Sequence, residues 1–259
     1  MKEQVYRKLV ELSNGKISST LLKKFSTAKI SKTLIPSYIK FYDINTKEVS
    51  KNLKEFTSLH HFFVRTLKED VRPIVHGDNI FTSPVDAKIE SFGSITSDIT
   101  FVVKEKHYSL FDLLGNDEMA RKYQGGQYIV FYLSPADYHR MHCPMSGNVT
   151  KQYVLGQKSY PVNQMGLTFG KKPLSHNYRM ISELEYRDKY YTFIKVGAMF
   201  VNSIELTNKS TQWKKGEEVG YFTFGSTVVM LFEKDSVKFI EQVKQGASIK
   251  VGEAFATVL

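Results

Sequence analysis

The sequence predicts an α+β protein in which an N-terminal helical region, residues 1–70, precedes a β-rich body, residues 71–259. Apolar residues recur at helical spacing in the first part of the chain. From about residue 80 the apolar runs become short and are separated by Gly, Pro and Asn, which is typical of strands and turns. Strands do not alternate with long helices, so we expect an antiparallel, barrel-like or sandwich body.

The N-terminal region is predicted to form helices separated by short breaks. The first carries apolar residues at helical spacing within residues 5–12, and the second is a basic stretch over residues 21–35. A third is predicted over Ser58–Lys68. The two basic segments either lie in a membrane interface, with their lysines toward lipid phosphates, or pack on the body as ordinary surface helices. The buried face of the third helix is predicted to consist of Leu59, Phe62, Phe63 and Leu67.

The body is predicted to contain strands wherever β-branched and aromatic residues cluster between turn residues. One segment, Leu110–Tyr123, has helical spacing instead. The predicted strands are Gln127–Leu133, Val149–Leu155, Tyr190–Val196, Val201–Leu206, Val219–Phe222 and Thr227–Phe232.

The composition limits which partners the protein can bind and which cellular compartment it can occupy. A net charge of +10 favours an anionic partner, and because the lysines are dispersed along the chain, a membrane or phosphate-bearing substrate is favoured over nucleic acid. The single cysteine, Cys143, cannot form an internal disulfide, fits a reducing compartment and is expected to be buried. No stretch approaches the roughly 18 consecutive apolar residues of a membrane span, and no signal peptide is predicted. We therefore expect a cytosolic protein that contacts an anionic membrane.

The tripeptide Gly225–Thr227 lies inside an apolar run and offers one specific chemistry. The Oγ of Ser226 can attack the carbonyl of Gly225 and convert the amide into an ester. Elimination from that ester leaves dehydroalanine, which hydrolyses to a pyruvoyl group at the new N-terminus. The alternative is purely structural, with Gly225 forming a bulge between two strands.

A second motif places His139 and His142 three residues apart, directly after a predicted strand. A metal site would need a third ligand, either Asp86 or a histidine at positions 60–61. Acid–base chemistry needs only a hydroxyl beside one histidine and a carboxylate beside that histidine. Ser226 and Asp86 are the candidates, and such a set is recognised by its roles and not by its order in the chain.

Several blocks of the sequence together resemble bacterial phosphatidylserine decarboxylases, which are self-processing, pyruvoyl-dependent enzymes. The resemblance extends over nearly the whole chain, and the combination of blocks is far more specific than any one of them. The blocks are Phe62–Pro73, Ser83–Asp86, Tyr132–His142, Tyr160–Asn163, Val196–Met199 and Phe222–Thr227.

The resemblance implies a role for each site residue. Asp86 corresponds to the processing aspartate, His142 to the histidine that activates the serine, and Ser226 to the serine that becomes the pyruvoyl group. Cleavage between Gly225 and Ser226 would leave chains 1–225 and 226–259, associated as a heterodimer. His139 is assigned as a proton donor or a substrate-orienting group.

The resemblance also implies the reaction and its location. The pyruvoyl group would form a Schiff base with the amine of phosphatidylserine and withdraw electrons as carbon dioxide leaves, which yields phosphatidylethanolamine. The enzyme would lie peripherally on the cytoplasmic face of the cell membrane, where its substrate resides, and it would need no metal. Whether the heterodimer assembles further into a homo-oligomer stays open.

The chain departs from the family pattern at Ala87, where glycine usually follows the processing aspartate. If that position requires a positive φ, alanine costs roughly 1 kcal/mol and slows self-cleavage. Phe224, where many members carry Leu or Gly, is a milder departure. Two other functions stay open: a membrane-binding protein that keeps the fold without cleaving, and a metal-dependent hydrolase that uses His139, His142 and a carboxylate.

Overall fold

Strands dominate the chain from Ile80 onward, and the α+β class is confirmed. The structure, a computed structural model, describes residues 23–198 and 203–259. In chain order its strands are β1 (Ile80–Thr82), β2 (Ala87–Ser94), β3 (Thr100–Val103), β4 (Lys106–Ser109), β5 (Gln127–Leu133), β6 (Arg140–His142), β7 (Gly147–Leu155), β8 (Arg179–Tyr186), β9 (Lys189–Gly197), β10 (Ile204–Leu206), β11 (Gln212–Trp213), β12 (Glu218–Phe222), β13 (Ser226–Phe232), β14 (Val237–Phe239), β15 (Ser248–Ile249) and β16 (Ala254–Val258).

The helices are short. Residues 23–27 are helical. They are followed in chain order by α1 (Ile35–Tyr42), α2 (Leu59–Phe63), α3 (Leu110–Leu114), α4 (Asp117–Lys122), α5 (Gln164–Phe169) and α6 (Pro173–His176). Turns of 3-10 helix cover Lys29–Leu34, Thr46–Glu48 and Leu53–Glu55.

An eight-stranded antiparallel sheet forms the centre of the body. Its strand order is β11-β7-β8-β9-β13-β5-β2-β15, so β13 lies between β9 and β5. Two three-stranded sheets, β1-β16-β14 and β10-β12-β6, and the hairpin β3-β4 complete the strands. Within the described ranges the large sheet does not close on itself, because β11 and β15 form its edges. The body is therefore layered rather than a closed barrel.

Both faces of the central sheet are buried. Alternate residues of β13 point to opposite faces, so Val228, Met230 and Phe232 belong to one core while Val229 and Leu231 belong to the other. The first core is shared with the small sheets, and the second with the β3-β4 hairpin and helices α3 and α4. Burial on both sides explains why this strand is apolar from Val228 to Phe232.

Most of the predicted elements of the body are confirmed. The strand Gln127–Leu133 has the predicted bounds, and β7, β9, β12 and β13 extend their predictions by one or two residues. For the predicted strand Val201–Leu206, β10 covers the last three residues, and the first two lie outside the described residues. The helical segment predicted over Leu110–Tyr123 is helical but forms two helices: Gly115, with φ 59°, ends α3, and the side chain of Asn116 caps α4.

The N-terminal predictions hold only in part. The first predicted helix lies outside the described residues, as does the start of the second. The third is much shorter than predicted. Ser58 caps α2 by accepting a hydrogen bond from His61 N–H (3.1 Å), and the helix ends at Phe63. Leu67 instead forms a β-bridge with Val49, which draws the chain away from a helical path.

Candidate active site

Strand pairing brings the histidine motif to the cleavage motif. Strand β6 pairs with β12, and the chain then passes through a short bend into β13. The carbonyl of His139 accepts a hydrogen bond from Phe222 N–H (2.9 Å), whereas His142 lies opposite Glu218 at the other end of the ladder. His139 is therefore the histidine whose backbone lies nearer to Ser226 along the paired strands.

The Gly225–Ser226 bond lies in a buried position. Ser226 is the first residue of β13, directly opposite Gly197, and its side chain is fully buried. Its Oγ has no hydrogen-bond partner among the described residues. The carbonyl of Gly225 accepts a hydrogen bond from Ala198 N–H (2.9 Å). A donor aimed at this oxygen stabilises the negative charge that develops there during nucleophilic attack.

Gly225 is not a bulge within a strand pair. Strand β12 belongs to a three-stranded sheet and β13 to the eight-stranded sheet, so the bend that contains Gly225 joins two different sheets. A Cβ built on Gly225 would meet only Ala198, at 4.0 Å. The structural alternative in its predicted form is therefore wrong.

His139 is a fully buried, neutral base. Its Nδ1 lies 2.9 Å from the carbonyl oxygen of Asp137, so Nδ1 carries the proton and Nε2 presents a lone pair. That Nε2 has no partner in the described part of the chain. Burial lowers the pKa of His139 to about 3, with a smaller contribution from the positive charge of Arg65. The ring of Phe63 covers it, with centroids 4.0 Å apart.

His142 has a partner at each ring nitrogen. Its Nδ1 donates to the carbonyl of Gly216 (2.8 Å), and its Nε2 lies 3.3 Å from the hydroxyl of Tyr138. Burial lowers the pKa of His142, but nearby negative charges, including Asp86, act in the opposite direction. Its backbone N–H donates to Pro84 (2.8 Å), which brings it close to the Asp86 segment. Among the described residues, no hydrogen bond joins it to Ser226.

The carboxylate of Asp86 is bound by Arg72. Arg72 Nε lies 2.9 and 3.0 Å from the two carboxylate oxygens, and a terminal guanidinium nitrogen lies 2.5 Å from one of them. Val251 N–H donates to the other oxygen (2.9 Å). In the structure Asp86 is therefore hydrogen-bonded to Arg72 and to the backbone, and not to His142. Sequence reasoning missed Arg72, although it lies in the Phe62–Pro73 block.

Ala87 does not occupy a strained position. It is the first residue of β2, its side chain is buried, and it is absent from the residues with positive φ. The expected cost of alanine in a left-handed conformation is therefore wrong, because the backbone here is extended.

Another buried hydroxyl, that of Ser203, also escaped sequence reasoning. Its Oγ has no partner among the described residues, and it lies 2.1 Å from where a Cβ on Gly197 would be. Only glycine at that position, opposite Ser226, leaves room for this hydroxyl. We call Ser226, His139 and Ser203 the dry site, because each is fully buried and each has a polar atom without a described partner.

A metal centre finds no support in the described ranges. No group of three or more His, Cys, Asp or Glu side chains converges there in a way that could hold a metal ion. The one cysteine, Cys143, is free and buried, as expected from the sequence. Burial raises its pKa to about 12, so it is a thiol and not a reactive thiolate at neutral pH.

Comparison with known proteins identifies the family. The sequence model of the phosphatidylserine decarboxylase family matches residues 59–257. The chain is 48% identical to the phosphatidylserine decarboxylase proenzymes of Bacillus thuringiensis subsp. konkukian (strain 97-27) and Bacillus cereus (strain 03BB102), over 100% of this chain and 99% of each relative. The proenzyme of Bacillus mycoides (strain KBAB4) is also 48% identical, over 99% of this chain and 98% of the relative. The chain therefore belongs to the phosphatidylserine decarboxylase family.

Proposed function

We propose that this protein is a phosphatidylserine decarboxylase proenzyme that cleaves itself between Gly225 and Ser226. One observation supports the Gly225–Ser226 bond as the cleavage site. The buried Ser226 hydroxyl has no described partner, and it follows directly after a carbonyl that already accepts a hydrogen bond from Ala198 N–H (2.9 Å). A nucleophile without competing partners beside a polarised carbonyl is the arrangement that acyl transfer requires.

Cleavage proceeds in balanced steps. The Oγ of Ser226 adds to the carbonyl carbon of Gly225 while a histidine Nε2 takes its proton. The C–N bond then breaks, the nitrogen takes up a proton, and an ester remains. Loss of the Cα proton of Ser226 expels the carboxylate of Gly225 and leaves dehydroalanine. Water hydrolyses its imine tautomer to the ketone and releases ammonia.

We assign the proton transfer from Ser226 to His142, supported by Asp86. A histidine with a pKa of about 3 is a poor proton acceptor at neutral pH, which argues against His139 as the base. At His139 the positive charge of Arg65 adds to the effect of burial, whereas at His142 the charge of Asp86 opposes it. His142 must first give up its 3.3 Å contact with the Tyr138 hydroxyl. His139 is then assigned a role with the substrate, as a proton donor or an orienting group, and not in self-cleavage.

The dry site fits a pyruvoyl group at position 226. Burial shields the ketone from bulk water, and His139 Nε2 and Ser203 Oγ are two further buried polar atoms without described partners. When formed, the group supplies the carbonyl that binds the substrate amine and withdraws electrons during decarboxylation. The residues around it orient the headgroup and move protons at the His139 nitrogen.

The two cleavage products are proposed to stay associated. The short chain, residues 226–259, begins with β13, the strand between β9 and β5. It also contributes β15 to the same sheet and β14 and β16 to a smaller sheet. Separation would remove an interior strand whose every residue is buried, so the heterodimer retains the sheet.

We propose that the N-terminal region docks on an anionic membrane. Apolar side chains that are unusually exposed there include Phe41 (79%) and Ile30 (69%), with Phe25 and Leu34 also exposed. Exposed lysines alternate with them along the chain, so apolar insertion and attraction to lipid phosphates can act together in this region. Within the described residues no helix combines the length and apolarity that crossing a membrane requires. These lysines are Lys23, Lys24, Lys29, Lys32 and Lys40.

The proposed function is tested by release of carbon dioxide from vesicles that contain phosphatidylserine. We expect activity that hydroxylamine or borohydride abolishes and a chelator does not, with Ser226→Ala as the inactive control. No release of carbon dioxide, together with bound zinc and lipid hydrolysis that a chelator abolishes, would instead indicate a metal-dependent hydrolase. An intact chain that binds vesicles without activity would indicate a homologue that does not process itself.

A further inference from the structure

Arg72 connects the N-terminal region to the proposed processing aspartate. Its guanidinium contacts Asp86 on one side and Glu48 on the other, where the shortest nitrogen–oxygen distance is 2.8 Å. The exposed fractions of the three side chains are 11% for Arg72, 9% for Asp86 and 23% for Glu48. Because these charges are largely removed from water, they depend on one another more than a surface ion pair does.

The other groups that act on Asp86 do not replace Arg72. Arg65 is the second positive group that interacts with it electrostatically, but the guanidinium of Arg65 donates to the carbonyls of Ala136 and Asp137 (2.7 and 3.0 Å). Lys250 lies 3.8 Å from Glu48. Asp137, Tyr138 and His142 also interact electrostatically with Asp86.

We propose that Arg72 is a positioning residue for self-cleavage, which holds Asp86 charged and in a fixed orientation beside His142. This inference rests on the proposed function, and it places Arg72 outside contact with the reacting atoms. The paired N–H donors of the Arg72 guanidinium, here called its fork, and the N–H of Val251 together bind both oxygens of the carboxylate. A planar guanidinium fixes the plane of a carboxylate in a way that an ammonium group does not.

Loss of Arg72 has a specific consequence for pH dependence. Removing a counter-ion makes the charged form of a buried carboxylate less favourable, and a higher pH favours that form again. The two histidines and Tyr138 do not change charge between pH 7 and pH 9. Burial lowers the pKa values of His139 and His142, so both are neutral from pH 7 upward, and burial raises the pKa of Tyr138 far above pH 9.

The test is the rate of cleavage of the full chain after a pulse of cell-free synthesis, followed from pH 7 to pH 9. We expect Arg72→Gln to cleave about tenfold more slowly than the wild type at pH 7 and to recover at least part of that rate at pH 9. Arg72→Lys keeps the charge without the fork, so it is expected between the two. The control is Lys104→Gln, which breaks another partly buried ion pair (Lys104–Glu90, 2.7 Å) and is expected to cleave at the wild-type rate.

Two results would overturn the inference while the wild type still cleaves. One is an Arg72→Gln chain that cleaves at the wild-type rate. The other is a folded Arg72→Gln chain that is slowed by the same factor at every pH, because that indicates a structural role only. If Arg72→Gln fails to melt cooperatively, Arg72→Lys decides by the same two criteria. A wild type that never cleaves would overturn the proposed function and this inference with it.

Discussion

The two sides of the candidate site differ in whether their polar groups have hydrogen-bond partners. On the charged side, Asp86, Arg72 and Glu48 are linked by short hydrogen bonds. In the dry site, Ser226 and His139 are fully buried, and each has a polar atom without a described partner. Buried polar groups are normally satisfied, so each exception needs an explanation, such as a catalytic role or a bound water. The buried groups without partners are the ones proposed to react. The paired charges are proposed to control the electrostatics around them.

This separation has a chemical benefit. A hydroxyl with no hydrogen bond to break is free to attack, and in a site of low dielectric the Ala198 N–H acts strongly on the Gly225 carbonyl. Asp86 and Arg72 are paired with each other, and among the described residues neither is hydrogen-bonded to Ser226 or His139. The comparison therefore predicts different results when either side is changed.

The largest effect is expected from the dry site. Ser226→Ala removes the nucleophile, so the chain should remain uncut and inactive, at 29.8 kDa on a denaturing gel. The matched control is Thr227→Ser at the adjacent buried hydroxyl, which should still cleave. A Ser226→Ala chain that splits and decarboxylates would show that another residue is the nucleophile.

The next effect distinguishes the two histidines. His142→Ala is expected to slow cleavage by about 100-fold or more, since it removes the base, whereas His139→Ala should cleave and then lack decarboxylation. Timed gels and carbon dioxide release measure the two steps separately. The reverse pattern would assign the base to His139, whose Nε2 already has no described partner.

Stability of the uncut chain should depend on pH through His139. Its pKa is about 3 when folded and about 6.5 when unfolded, so the unfolded chain binds the proton first as the pH falls. In a Ser226→Ala background, the free energy of unfolding should therefore decrease between pH 6.5 and pH 3, by up to about 1.4 kcal/mol per pH unit for this residue. Adding His139→Phe should flatten that slope in denaturant titrations. An unchanged slope would contradict the burial of a neutral His139.

The smallest effect is expected at Ala87, on the charged side. Because this residue is an ordinary extended strand position, Ala87→Gly should change the cleavage rate less than about twofold and destabilise the fold by about 0.5–1 kcal/mol. Timed gels and thermal melts check both values. Cleavage that becomes several-fold faster would show that the processing conformation needs the left-handed backbone that the uncut chain lacks.

The body was predictable from sequence where burial alone determines the pattern. Gln127–Leu133 is apolar because β5 is nearly all buried, and its predicted bounds are those of the structure. Ser58–Lys68 was predicted too long because the bridge between Val49 and Leu67 is a tertiary contact that no local pattern records. The hydrogen bonds from Arg72 to Asp86 and Glu48 were not predictable for the same reason. This arginine lies 14 residues from one partner and 24 from the other.

The central claim is that the chain cuts itself before Ser226 and converts that serine into a ketone. Denaturing mass measurement of the purified wild type tests it directly. We expect two chains, residues 1–225 and 226–259, with the short chain carrying a blocked N-terminus and the mass of a pyruvoyl group in place of serine. A single intact chain of 29.8 kDa after prolonged incubation, or a short chain that begins with an unmodified serine, would contradict the account.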